Sequence, residues 1–146
     1  MNIQNRKAAF EYELLGEYIA GMQLLGTEIK SIRRNKANIA DSFCQIKDGE
    51  LYIINMYIAE YELGTHTNHA PRRERKLLLK REELLKLERK LKESGLTVIP
   101  KRLFINEKGY AKLQIFLARG KKLHDKRESI RKKDIDREHK RILKYQ

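Results

Sequence analysis

The sequence predicts a mostly β fold with flanking helices, an OB-fold-like small β-barrel, followed by a basic C-terminal tail. Three observations predict it. Asp48-Gly49 stands between two β-prone runs, DSFCQIK and ELYIINMYI, and the pair favours a tight primed turn because that turn needs positive φ. In YAKLQIFLA, Ala111, Leu113, Ile115 and Leu117 alternate with Tyr110, Lys112, Gln114 and Phe116, which is the pattern of a strand with two chemically different faces. Only two stretches read as helix, and both lie between strand-like runs. Short strands with two helices between them fit an oligonucleotide-binding fold, although periodicity alone leaves other α+β arrangements open.

In chain order, Met1 to Lys7 is polar and is expected to be loose. AAFEYELLGEYIAGMQL suits strands broken by a bend at Gly16. GTEIKSIRRNK reads as a short helix: Thr27 can cap it, Glu28 sits in its first turn, and Ile29 and Ile32 share a face. Lys30, Arg33 and Arg34 then point elsewhere, toward solvent or a ligand. After the Asp48-Gly49 hairpin, YELGTHTNHAPRRER reads as a loop. A second helix follows: Leu77, Leu84, Leu87 and Leu91 repeat at helical spacing, Arg81 to Lys92 is made of good helix formers, and Gly95 can end it. LTVIPKRLFI and YAKLQIFLA, joined by a turn at Asn106 to Gly109, make a second hairpin.

The packed part is expected to cover residues 1–118 and the tail 119–146. The formal net charge over 146 residues is +13, and such an excess speaks about partners rather than fold. Nucleic acid is the polyanion it fits best. No apolar run of 18 or more residues and no signal-peptide pattern points to a membrane. Cys44 is the single cysteine, which excludes an intramolecular disulfide and suits a reducing cytoplasm.

From Gly120 to Gln146 the chain carries seven Lys and four Arg against five acids, a net of +6. At about 100° per residue, Lys122, Lys126, Lys133, Arg137, Lys140 and Lys144 fall within an arc of about 60°. Leu123 and Ile130 share a line, but Ile135 and Ile142 lie about 120° from it, so no apolar stripe matches the basic one. Docking on the barrel then cannot offset the entropy of ordering the segment. The expectation is a tail disordered when free and helical where its basic stripe meets phosphate.

The chemical motifs point away from catalysis. His66-x-x-His69 has no second pair of His or Cys beside it and reads as polar surface rather than as a metal site. His124-Asp125 are neighbours that point apart on a helix. No nucleophile elbow, phosphate-binding glycine loop or acid cluster is present. The chain therefore reads as a non-enzyme without cofactor or metal. The loop APRRERK is a stronger signal: Arg72, Arg73, Arg75 and Lys76 beside Asn68 and His69 combine phosphate-binding forks with groups that read sugar or base edges. Tyr12, Tyr18, Tyr52, Tyr57 and Phe116 offer stacking surface, with core packing the alternative for each. Leu77, Leu78 and Leu79 cannot all be buried on one helix face, which leaves one for a partner.

Five segments, GTEIKSIR (26–33), KANIADSF (36–43), RKLLLKREEL (75–84), GLTVIP (95–100) and GKKLHDKR (120–127), resemble in order the signature segments of the small protein B (SmpB) family, the tmRNA-binding proteins of bacterial trans-translation. The resemblance runs from about Phe10 nearly to the end of the chain. It implies binding to the tRNA-like domain of tmRNA around its D-loop and elbow, delivery to ribosomes stalled on broken messages, and a tail that folds as a helix in the empty mRNA channel. It implies a cytoplasmic protein, taken here as a monomer. Together with the residue reading it marks Glu28, Lys30, Ser31, Arg33, Asn68, His69, Arg73, Arg75, Lys76, Leu78, Lys80 and Lys112 for tmRNA. It marks Lys121, Lys122, His124, Asp125, Lys126, Arg127, Lys133, Arg137, Lys140, Ile142, Leu143 and Lys144 for the decoding centre and channel. Leu143 replaces a Met of the family pattern and keeps its size and apolar character. Many relatives carry an acid where Ile19 stands, and His or Asn where Lys80 stands. A general single-stranded nucleic-acid chaperone with a basic tail is the rival reading.

Overall fold

The computed structural model describes residues 2–64 and 67–121. The basic stripe of the tail and its His124-to-Arg127 motif lie outside the described residues, and so does His66. Asn2–Gln4, expected to be loose, form strand β1, antiparallel to β8 (Leu96–Ile105), with Ile3 opposite Leu103. One apolar side chain is enough here, because Ile3 packs on the core while the backbone and the Asn5 side chain bond Lys101 O and Pro100 O at 2.8 and 3.2 Å. A one-turn helix α1 (Ala8–Glu11) follows, too short for any periodicity to announce. Its Ala8 packs with Ile99 and Ala118.

The bend expected at Gly16 is a bulge within one long strand, β2 (Tyr12–Met22), where the pairing with β9 (Ala111–Gly120) shifts between Leu14 and Gly16. An extra residue absorbed this way increases twist, which a small closed barrel needs. Helix α2 (Gly26–Arg33) begins two residues earlier than a Thr27 cap requires, and Thr27 is spent elsewhere. Its first free amide, Leu25 N–H, donates to Glu28 Oε1 at 2.8 Å. Ile32 is buried and Ile29 half-buried, as the i, i+3 spacing predicts.

Strands β3 (Ala37–Asn38), β4 (Phe43–Lys47), β5 (Glu50–Ile54) and β6 (Tyr57–Ile58) come next. At the β4–β5 turn Asp48 and Gly49 have φ of 52° and 76°, the primed geometry read from the pair. The sequence-based second helix is corrected at its start. Arg75–Leu78 are strand β7, and helix α3 covers Arg81–Lys90, with Leu84 and Leu87 buried and Leu91 half-buried. Leu77 thus belongs to a strand, and its spacing from Leu84 is coincidental.

The main sheet runs β1-β8-β4-β5-β7-β2-β9, all antiparallel, and β9 pairs again with β8. Strands β8, β4, β5, β7, β2 and β9 therefore close a barrel, with β1 lying on the outside of β8, while β3 and β6 form a separate ribbon. Closure leaves the barrel without a free edge. Inward residues of every wall, among them Leu51, Ile53, Leu77, Val98, Leu103, Leu113 and Ile115, fill it together with Ile32 of α2 and Leu87 of α3. Cys44 is part of this core, and burial pushes its thiol far above the ordinary range. Among the described residues no helix is long and apolar enough to cross a membrane.

Candidate nucleic-acid interface

Helix α2 is tied to the basic loop by a buried carboxylate. Glu28 is fully buried, and its Oε1 receives Arg73 Nη2 at 2.6 Å while its Oε2 receives Arg75 Nε at 2.5 Å. Burial alone would raise the Glu28 carboxyl; the hydrogen bonds from Arg73, the Leu25 amide and Arg75 outweigh it and hold the group below the ordinary carboxylate range. Arg75 is buried too, and burial lowers its guanidinium against the opposing pull of Glu28. Its remaining nitrogens donate to Met56 O at 2.6 Å and Pro71 O at 3.0 Å. Two guanidinium groups share one carboxylate, so the cluster keeps a positive charge. Arg73, whose side chain is 36% exposed, carries that charge to the surface.

His69 completes the link. Its Nε2 lies 2.9 Å from Ile58 O, which can only accept, so Nε2 holds the proton; Nδ1, 2.9 Å from Thr27 Oγ1, is then left to accept the hydroxyl proton. Asn68 holds its own loop, accepting from Tyr61 N–H at 3.2 Å and donating to Tyr61 O at 3.0 Å. Ser31 is buried at the inner face of α2, and its hydroxyl finds no partner among the described residues.

Glu28, Ser31, His69 and Arg75 are therefore not surface contacts. The sequence reading of Arg75 as a phosphate fork is corrected: the fork is already occupied by Glu28 and main-chain carbonyls. These residues instead fix the rigid frame on which exposed cations stand. Lys30 and Arg34 lie 5.5 and 5.1 Å from the Tyr61 ring centroid. Lys76 is 3.5 Å from Glu50 across the sheet, and Lys80 stands exposed at the start of α3.

Beside this frame runs a groove of about 620 Å³ between β2, α2, β7 and the β8–β9 turn, lined by Gly21, Leu25, Arg33, Leu78, Tyr110 and Lys112, among others. It brings together Arg33, Leu78 and Lys112, three residues far apart in sequence. At Gly21, in its lining, a Cβ would make ordinary contacts of 3.4 Å with Leu78 Cβ and 3.5 Å with Lys112 Nζ. Leu78 is 50% exposed while Leu77 is 2% exposed, because neighbours on a strand face opposite sides. Leu25 and Tyr110, both exposed, were not singled out from sequence. A large apolar residue just before a helix start, and an aromatic closing a turn, are the signals that mark them.

Of the tail residues only Lys121 is described. Its amide donates to Glu11 O at 3.0 Å and its Nζ to Ala9 O at 3.1 Å, so it fastens the end of β9 to α1. Lys122, His124, Asp125, Lys126, Arg127, Lys133, Arg137, Lys140, Ile142, Leu143 and Lys144 lie outside the described residues. Among those described, no group of three or more His, Cys, Asp or Glu is placed to hold a metal ion.

A closed antiparallel barrel with a cation-rimmed apolar groove defines the class of oligonucleotide-binding-type barrels. The chain belongs, within that class, to the SmpB protein family, whose model matches residues 2–145. It is 61% identical over 143 residues to an SsrA-binding protein of Christiangramia forsetii, covering 98% of this chain and 88% of the relative. It is 55% identical over 144 residues to an SsrA-binding protein of Bacteroides thetaiotaomicron, covering 99% and 96%. A solved structure described as "tmRNA-SmpB: a journey to the center of the bacterial ribosome" superposes with a TM-score of 0.71 at 47% identity, covering 89% of this chain and 94% of the other.

Proposed function

We propose that this chain is an RNA-binding adaptor: it binds the tRNA-like domain of tmRNA and delivers it to stalled ribosomes for trans-translation. The observation that carries this is the match of the SmpB family model along residues 2–145, with relatives at 61% and 55% identity named SsrA-binding proteins. The groove fits the task. Arg33 and Lys112 flank the exposed Leu78, so phosphate and an unstacked base can meet charge and apolar surface at once. Lys30, Arg73, Lys76 and Lys80 extend the positive rim, while Glu28, Ser31, Asn68, His69 and Arg75 act by positioning it. In this role the protein acts on RNA by binding alone, as a cytoplasmic monomer without catalytic residue or cofactor.

The barrel, ending with β9, is the tmRNA-binding part, and the chain after Lys121 is the part that reads the empty mRNA channel. Lys122, Lys126, Lys133, Arg137, Lys140 and Lys144 would lie along ribosomal RNA, with His124 to Arg127 at the decoding centre. Binding of the full chain and of a chain ending at Lys121 to the tRNA-like domain, with an unrelated hairpin of equal length as competitor, tests the division. Both proteins should bind selectively, and only the full chain should support tagging on stalled ribosomes. Equal affinity for the two RNAs, or loss of binding with the tail, would identify a general nucleic-acid chaperone instead.

A further inference from the structure

We propose that the dish beside the β3–β6 ribbon binds one unpaired guanine of an RNA, stacked against Tyr57 and Arg72 and read by Asp41 and Asn38. The inference rests on the RNA-binding reading above and adds a second, base-specific contact. The dish has a volume of about 470 Å³ and is lined by Asn38, Ala40, Asp41, Asn55, Tyr57 and Arg72. That is within the ordinary size of small-ligand sites. The loop that sends Arg73 to Glu28 sends Arg72 the other way, to Asn55, so this is a separate place from the buried clamp.

Three chain segments are locked together to form it. In the ribbon, Asn38 is paired directly with Tyr57, which puts both side chains on one face. Arg72 Nη1 donates to Asn55 O and Oδ1 at 3.1 and 2.9 Å, and Asn55 Nδ2 donates to Asp41 O at 3.1 Å. Asp41 and Asn55 both hold left-handed backbone, with φ of 62° and 65°. Tyr57 is 38% exposed, and the Arg72 guanidinium stands 5.5 Å from its ring centroid. An aromatic face and a guanidinium plane are the two surfaces on which unpaired bases stack.

The polar groups left over select the base. The Asp41 carboxylate makes no hydrogen bond among the described residues, so both its oxygens can accept. Asn38 Oδ1 already accepts from Ala40 N–H at 2.8 Å, which leaves its amino group as a donor. Guanine offers N1–H and an amino group side by side, two donors for one carboxylate, and O6 beside them for the amide. Adenine and cytosine turn a ring-nitrogen lone pair toward the carboxylate, and uracil sets its single N–H between two carbonyls.

Titrating the isotope-labelled full chain with GMP, AMP, CMP and UMP at one ionic strength, read by NMR, tests the assignment. GMP should move the Asn38, Asn55 and Tyr57 signals and bind at least about tenfold tighter than the others. Asp41→Asn should erase that preference, and Tyr57→Ala should weaken GMP about tenfold. Asn tolerates left-handed backbone, so unchanged thermal stability of Asp41→Asn certifies its fold. Equal response to four nucleotides, shifts confined to the Arg33–Lys112 groove, or an undiminished GMP preference in Asp41→Asn would each overturn the proposal. Selective binding of the tRNA-like domain by the same wild-type sample is scored separately. If it holds without a guanine preference, only this inference falls; if the preference holds without that selectivity, only the adaptor reading falls.

Discussion

At Glu28, one carboxylate, itself fully buried, answers to two guanidinium groups, one of them buried as well, and that decides what its loss does. Glu28→Gln leaves Arg75 buried and facing a neutral amide, so unfolding free energy should drop by about 3–5 kcal/mol, measured by urea denaturation at pH 7. The dependence on pH follows from the same bonds. The folded carboxyl is held below its ordinary value of 4.5, so in acid the unfolded chain takes up the proton first. Stability from this group is complete above pH 4.5 and is lost as pH falls through the lowered folded value. The wild-type melting temperature should therefore fall more between pH 5 and pH 3 than that of Glu28→Gln, and parallel acid limbs would mean that another carboxylate governs the loss. Nothing in GTEIKSIR tells that Glu28 faces inward. A first-turn acid is ordinarily a solvated partner of the helix dipole, and only the arrival of Arg73 from a distant loop and Arg75 from the start of β7 turns it into a clamp.

Among the elements, β7 separates stability from recognition in adjacent residues. Leu77 points into the barrel and Leu78 into the groove. Leu77→Ala should cost about 2–5 kcal/mol of stability with RNA affinity per folded molecule preserved, whereas Leu78→Ala should leave the melting temperature within a few degrees and weaken RNA binding. Calorimetry and a binding titration on both variants check it, and a stability loss in Leu78→Ala equal to that of Leu77→Ala would contradict the strand register. The sequence made this strand hard to see. Leu77 falls in helical phase with Leu84 and Leu87, and four residues are too few for a period-2 signal to compete. The hairpins were legible because their information is local: Asp48-Gly49 dictates its turn, and the alternation from Ala111 to Leu117 dictates its face. Strand β1 was not legible, since two of its three residues are polar and its partner β8 lies about a hundred positions away.

For the molecule as a whole, barrel closure gathers cations from α2, the 72–74 loop, β7, α3 and β9 onto one framework, so the proposed binding should be largely electrostatic. About six phosphate contacts correspond to a slope of about −4 to −5 in the logarithm of affinity against the logarithm of salt. If the barrel carries tmRNA recognition and the tail carries the ribosome, the full chain and the chain ending at Lys121 should show nearly the same slope on the tRNA-like domain. The net charge of +5 on residues 122–146, six Lys and four Arg against five acids, would otherwise steepen the full-length slope by several units, and titrations of both proteins from about 50 to 200 mM salt can resolve that difference. A flat profile would contradict an electrostatic interface altogether. Equal slopes together with lost tagging would place the tail's charge on a different polyanion from the barrel's, which is the physical content of an adaptor: two RNA surfaces, read by two parts of one chain, without either competing for the other's phosphates.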